Sequence, residues 1–224
     1  MSTAIEAPIT GSLAQRRPGA KRVLNEARIL AAAESVFAEA GYAAASMAAI
    51  AQRAGLPKAN LHYYFGTKRQ LYQRLLEHII EAWQQSTGYF KADADPAWAL
   101  RLYIAEKIEF SRQRPRASKI FANEILHGAP VISGMLAGPL RQWLDGKVAV
   151  IERWIADGRI KSIDPRHLFF VIWAATQHYA DFDVQVAALL GHSAVEAQDY
   201  AKAADTITSM VLAALGLEDP TGPR

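Results

Sequence analysis

Gly55 and Pro57 stand two residues apart inside a stretch that otherwise carries helical patterning, and this pair restricts the fold more than any other feature of the sequence. Ala54-Gly55-Leu56 reads as a tight turn, because glycine reaches the left-handed backbone region at no steric cost. Pro57 suits the first position of a helix, where its missing N–H is not needed. Upstream, Ser46 can cap a short helix that turns Met47, Ile50 and Ala51 inward. Downstream, Lys58, Ala59, Asn60, Leu61, His62 and Tyr63 form another. Two short helices joined by a glycine turn form a helix-turn-helix: one braces, and the next is presented outward.

The rest of the chain reads as helix around this unit. Val23, Ala27, Leu30, Ala31, Ala33, Val36 and Phe37 place an apolar stripe on a helix over 22–40, and Gly41 suits a left-handed cap after it. Gly66 breaks the pattern. Thr67-Lys68-Arg69-Gln70 is then a capping box, and it launches a long helix, over 67–86, with Leu71, Leu75, Ile79 and Trp83 on one side. Asp95-Pro96 starts the next helix, which runs to about Arg114, where Pro115 stops it. Further helices are expected over 116–127, 137–157 and 165–181, the last opened by Asp164-Pro165. Ser193-x-x-Glu196 reads as a second capping box before a final helix with Ala203, Ile207, Met210, Val211, Ala214 and Leu215 apolar. Gly128-Ala129-Pro130 and Gly134 mark an irregular middle segment. No strand pattern or repeat stands out. The expected fold is all-α, with a flexible basic arm over 1–20, a three-helix head over 21–67 and a larger helical body over 68–224.

Charge separates the two parts. Residues 1–75 carry ten Lys/Arg and four Glu, a net +6, so the overall +3 leaves −3 for residues 76–224. A basic head on a mildly acidic body fits a polyanion met at one end, although a solvated surface with a chance imbalance fits equally. The chain has no cysteine, so a disulfide framework or thiolate metal site is excluded. No apolar run reaches the roughly 18 residues of a membrane span, and residues 1–18 lack the apolar core of a secretory signal. A cytoplasmic protein without membrane contact is expected.

On the second short helix, Asn60 can form paired hydrogen bonds to adenine, and Lys58 can reach guanine or a phosphate. His62, Tyr63 and Tyr64 can meet phosphates, sugars or base methyls. Lys68 begins the next helix, whose free N–H groups and its own charge could hold one phosphate. Ser46 and Ala59 complete the DNA-facing set. Leu61 and Phe65 read as core. Arg16, Arg17, Lys21 and Arg22 could add DNA contacts or simply be solvated.

In the body, Phe169, Ile172, Trp173, Thr176 and Gln177 fall at i, i+3, i+4, i+7 and i+8 of one helix, on a face that is apolar until Gln177. Spacing leaves two readings. Either Gln177 bonds to a nearby backbone carbonyl and Trp173 packs, or the two form a site for a planar ring with an N–H beside a C=O. His178 and Asp181 lie at i and i+3 and could bind a metal or exchange a proton, but no third ligand, nucleophile, P-loop, GxSxG or HExxH accompanies them. They read as structural hydrogen bonds rather than a catalytic pair. No enzyme, cofactor or metal is expected.

The strings Gly41-Tyr42, Ser46-Met47-Ala48-Ala49-Ile50-Ala51 and Ala54-Gly55-Leu56-Pro57-Lys58-Ala59-Asn60-Leu61-His62-Tyr63-Tyr64-Phe65, with Lys68 and Leu71, resemble the head of the TetR family over residues 22–75. Pro57 departs from that pattern, where the family often has Ser. The stretches Ile163-Asp164-Pro165, His167-Leu168-Phe169, Trp173-Ala174, Thr176-Gln177-His178-Tyr179-Ala180-Asp181-Phe182, Glu106-Lys107 and Gly128-Ala129-Pro130 resemble the pyrimidine-utilisation regulators of that family. The resemblance implies a homodimeric repressor on a palindromic double-stranded operator. Its dimer would form through the final helix and the helix over 165–181, and a small planar effector, uracil or thymine, would release the DNA. It carries over Trp173 and Gln177 as ligand contacts, with Trp83, Lys107 and Phe121 as further pocket wall. Two alternatives stay open: a different small-molecule effector, or an effector-independent DNA-binding protein.

Overall fold

The computed structural model describes residues 18–84 and 87–219. The arm expected over 1–20 lies outside them except for residues 18–20, which open the first helix. Among the described residues every regular element is a helix, and no helix is long and apolar enough to cross a membrane.

The head consists of α1 (Pro18–Ala44), α2 (Met47–Ala54) and α3 (Lys58–Phe65). Gly41, at φ 72 and ψ 168, interrupts the helical backbone near the end of α1. Ser46 caps α2 by accepting the N–H of Ala49 at 3.1 Å. Gly55 closes α2 in the left-handed region, and Arg28 fills the space beside it, donating to the Ala54 carbonyl at 2.8 Å. Pro57 sits one position earlier than expected, outside α3 rather than at its first residue. In the turn, Gly55 and Leu56 donate back to Gln52 and Ala51, and the new helix opens on the Pro57 carbonyl, which accepts from Asn60 at 2.9 Å.

Thr67 and Gln70 form the reciprocal capping box at the start of α4 (Lys68–Gln84), and Leu71, Leu75 and Ile79 turn inward. Asp95 caps α5 (Pro96–Gln113), and Pro115 begins α6 (Pro115–Leu126). The single helix expected over 137–157 begins differently. A one-turn α7 (Ser133–Met135) passes into a widened π-type turn, Leu136–Leu140, before α8 (Arg141–Ala156). Pro139 has no N–H to continue regular pairing, and the wider turn accommodates it. Asp164 caps α9 (Pro165–Asp181) as expected. A short α10 (Asp183–Leu190) follows, which the patterning did not separate. The last helix, α11 (Ala197–Leu215), is capped three residues later than Ser193 would imply. Glu196 is its N-cap, and Asp199 returns to accept the Glu196 N–H at 2.9 Å, held in place by His192 at 3.1 Å.

Two apolar cores result. One joins α1 to α4 with Ala117 and Ile120 of α6 and with Ala129 and Ile132 of the irregular segment. The other is built by α5, α8, α9 and α11 around an aromatic group of Phe90, Tyr103, Trp154 and Phe169. α6 therefore packs beneath the head while being tied to the second core. Ser118 donates to Asp181 at 2.6 Å, and Lys119 pairs with Asp183 at 2.7 Å. Burial raises the pKa of Asp181, with the Ser118 hydroxyl opposing it. His178 takes no part in this contact. It is exposed and stacks on Phe182 with ring centres 5.0 Å apart, and no hydrogen bond joins it to Asp181 among the described residues.

Polar contacts fasten the head to the body. Arg114 meets Glu34 of α1 at 2.5 Å, and Arg69 donates to the Pro130 carbonyl at 2.8 Å. Glu124, 5% exposed, accepts the N–H groups of Val131 at 2.6 Å and Ile132 at 3.3 Å, and Tyr72 of α4 bonds to the same carboxylate. This anchoring holds Ala129 at φ 54, an uncommon conformation for a residue with a side chain.

Candidate effector cavity and DNA-facing helix

Leu61 and Phe65 bury one side of α3, which turns Lys58, Ala59, His62 and Tyr63 to the exterior. Tyr63 is 76% exposed, an unusual position for a large aromatic ring, and meets only the edge of Tyr64 among the described rings, with centres 5.3 Å apart. Asn60 is half-buried beside them. Tyr64 is also half-buried, and its hydroxyl accepts from Asn25 of α1 at 3.2 Å, so it braces the presented helix. His62 engages the Gly66 carbonyl through Nδ1 at 2.7 Å, which fixes the ring with its other nitrogen outward. Ser46 is exposed and occupied as the α2 cap.

Lys68, expected to hold a phosphate through its charge and the N–H groups at the start of α4, has its ammonium already engaged within the head. Its ammonium donates to the carbonyls of Tyr42, Ala43 and Ala45 at 2.8, 3.2 and 2.9 Å and lies 4.6 Å from the centre of the Tyr42 ring. An ammonium has three hydrogens, and the backbone at and just beyond the end of α1 takes all three. What Lys68 retains for a phosphate is its charge and its backbone N–H at the start of α4.

The five residues expected to touch a ligand converge on one enclosed cavity of about 60 Å³. Trp83 comes from the end of α4, Lys107 from α5, Phe121 from α6, and Trp173 and Gln177 from α9. The Trp83 ring meets Phe121 edge-on at 4.7 Å. The Lys107 ammonium lies 4.6 Å from the centre of the Trp83 ring. Burial lowers the Lys107 pKa to about 7. Four further residues complete the wall: Gln84, Tyr103, Leu140 and Trp143. Trp143 lies nearly parallel to Trp173, with centres 6.5 Å apart. The Trp173 indole N–H donates to the Tyr103 hydroxyl at 2.7 Å. Burial raises the Tyr103 pKa, so the hydroxyl keeps its hydrogen and can still donate it. Flat aromatic walls with an amide, an amine and a hydroxyl at the edges suit a small planar ring carrying carbonyls and N–H groups.

Residues 29–75 match the family model described as "Bacterial regulatory proteins, tetR family", and residues 76–218 match "YcdC-like protein, C-terminal region". The chain belongs to the TetR family. Over 163 residues it is 43% identical to the HTH-type transcriptional regulator RutR of Escherichia coli strain K12, covering 73% of this chain and 77% of that one. It is 34% identical over 100 residues to the transcriptional repressor NicS of Pseudomonas putida, covering 44% and 47%. Its fold superposes on a TetR-family regulatory protein from Rhodococcus RHA1 with a TM-score of 0.70 at 18% identity, covering 87% of this chain and 98% of that one.

This TetR-family regulator shares its fold and relatives with transcriptional regulators, not enzymes. Sequence reasoning missed Gln84, Tyr103, Leu140 and Trp143 of its cavity. Tyr103 stands four residues before Lys107, so both project from one face of α5, and that spacing could have found it. Leu140 and Trp143 had no such signal, because the π-type turn rotates them relative to the regular helix expected there.

Proposed function

We propose that the protein is a homodimeric, operator-binding repressor released from DNA by a small planar heterocycle, uracil or thymine being the best fit. The observation that carries this is the cavity, where five residues chosen from sequence pattern and resemblance line one small enclosed space. Its small volume argues against a long or bulky effector, and its polar edges argue against a regulator with no effector. Gln177 would pair with an N–H/C=O edge, while Tyr103 and Lys107 would donate to a further carbonyl. The dimer would form through α9 and α11, where Val171 and Met210 stand 61% and 69% exposed.

On DNA, α3 would enter the major groove with Lys58, Asn60 and Tyr63 toward the bases and backbone. Exchanging Asn60 for alanine is expected to cost about 1–3 kcal/mol of discrimination at one base position, while binding to unrelated DNA is largely kept. Competition binding with single-base operator variants checks this. A uniform loss on every sequence would assign Asn60 to the backbone instead.

The effector assignment is tested by thermal unfolding with uracil, thymine, cytosine and unrelated heterocycles. A ligand at about a hundred times its dissociation constant stabilises by roughly 2.7 kcal/mol, a rise of a few degrees in the midpoint. Uracil or thymine is expected to produce that rise and to release operator DNA. Gln177→Ala is expected to keep DNA binding and lose the rise. Unchanged ligand response in Gln177→Ala would remove this cavity from the mechanism.

A further inference from the structure

We infer that Lys107 makes the cavity selective for acidic ring imides, by taking the proton of the ligand N–H and holding the resulting anion beside its ammonium. The inference rests on the reading of the cavity as the effector site. Lys107 is 8% exposed, yet among the described residues it has neither an ion pair nor a hydrogen bond, only the face of Trp83. None of the other eight lining residues is acidic. Glu106, its neighbour on α5, is engaged by the Tyr89 hydroxyl at 2.5 Å.

A buried amine with no counter-charge is costly as a cation, and burial alone accounts for its weakened hold on a proton. The cavity thus contains a base that gains most from a ligand bringing both a proton and a negative charge. A cyclic imide, with N–H between two carbonyls, brings both. Its N–H bond breaks as an N–H bond forms on Lys107, and the charge left behind spreads over the ring nitrogen and the two carbonyl oxygens. No outside proton or electron is needed. The ammonium so formed keeps the attraction of the Trp83 face.

The test is calorimetric titration near neutral pH of uracil and of 5-fluorouracil, which has the same ring and a more acidic N–H, into the full-length protein and into Lys107→Met. One unit of acidity converts to at most a factor of ten, so the wild type is expected to bind 5-fluorouracil about tenfold more tightly, and Lys107→Met to bring the two within about twofold. Methionine replaces an unpaired buried cation with an apolar chain of similar length, so folding is expected to be retained, as circular dichroism would show. Lys107→Gln, which keeps a donor but not a base, gives the same ratio if methionine is not tolerated. An equal preference in wild type and variants overturns the inference. So does tight uracil binding with no preference for the more acidic ring, which leaves the proposed function standing. Failure of both pyrimidines to bind the wild type overturns both readings.

Discussion

Exchange of Glu124 for alanine lowers the unfolding free energy by about 3 kcal/mol, as the expected result of stranding several buried donors at once. The carboxylate accepts from Val131 and Ile132 and bonds to Tyr72, so its removal leaves mostly buried backbone and phenol groups without that partner. Each buried donor left unpaired costs roughly 1–3 kcal/mol, and the cavity created adds to that. Glu124→Gln keeps an acceptor oxygen of nearly the same shape and should recover much of the loss. Urea denaturation of both variants checks this. An alanine variant within about 0.5 kcal/mol of wild type would mean the irregular segment has rearranged to satisfy itself, an ordinary result only for surface sites.

The second large effect concerns Trp173. Its indole forms one wall of the cavity and donates to the Tyr103 hydroxyl, so Trp173→Ala removes the stacking surface and frees the group aimed at the ligand. Loss of a large aromatic ring from a packed site costs about 3 kcal/mol or more, and the effector response is expected to vanish with it. Trp173→Phe separates the two contributions. The ring surface remains, the N–H does not, and Tyr103 is then free to turn. Ligand-induced shifts in the unfolding midpoint should fall in the order wild type, Trp173→Phe, Trp173→Ala. Equal shifts in wild type and Trp173→Ala would place the effector elsewhere.

The helical fold was legible in the sequence because capping chemistry is local. Asp95, Asp164 and the Thr67–Gln70 pair each sit where their side chains satisfy the free N–H groups of the helix that follows. The last helix shows the limit of such reading. Ser193 and Glu196 have the spacing of a capping box, but Asp199 and His192 compete for the same turn and win through a contact between two elements. The cavity was legible in part for a similar reason. Spacing put Trp173 and Gln177 on one face of a helix but left their role open, and only the resemblance carried them, with Trp83, Lys107 and Phe121, to a pocket wall. Trp143 depends on a π-type turn, and the Lys68 ammonium on carbonyls 23 to 26 residues away; neither is written in any local pattern.

The shared core beneath the head bears on how such regulators can be recombined. Residues 29–75 match the family head, yet Ile120 of α6 and Ile132 fill the same apolar cluster as Ile29, Leu71 and Leu75. A chimera cut at residue 75 would therefore inherit a foreign floor under its DNA-reading unit, with gaps or collisions where those two isoleucines had been. The transplantable module is the head together with α6 and the segment through Ile132. Because Phe121 on α6 also faces the cavity, moving that module carries one wall of the proposed effector site along with the head.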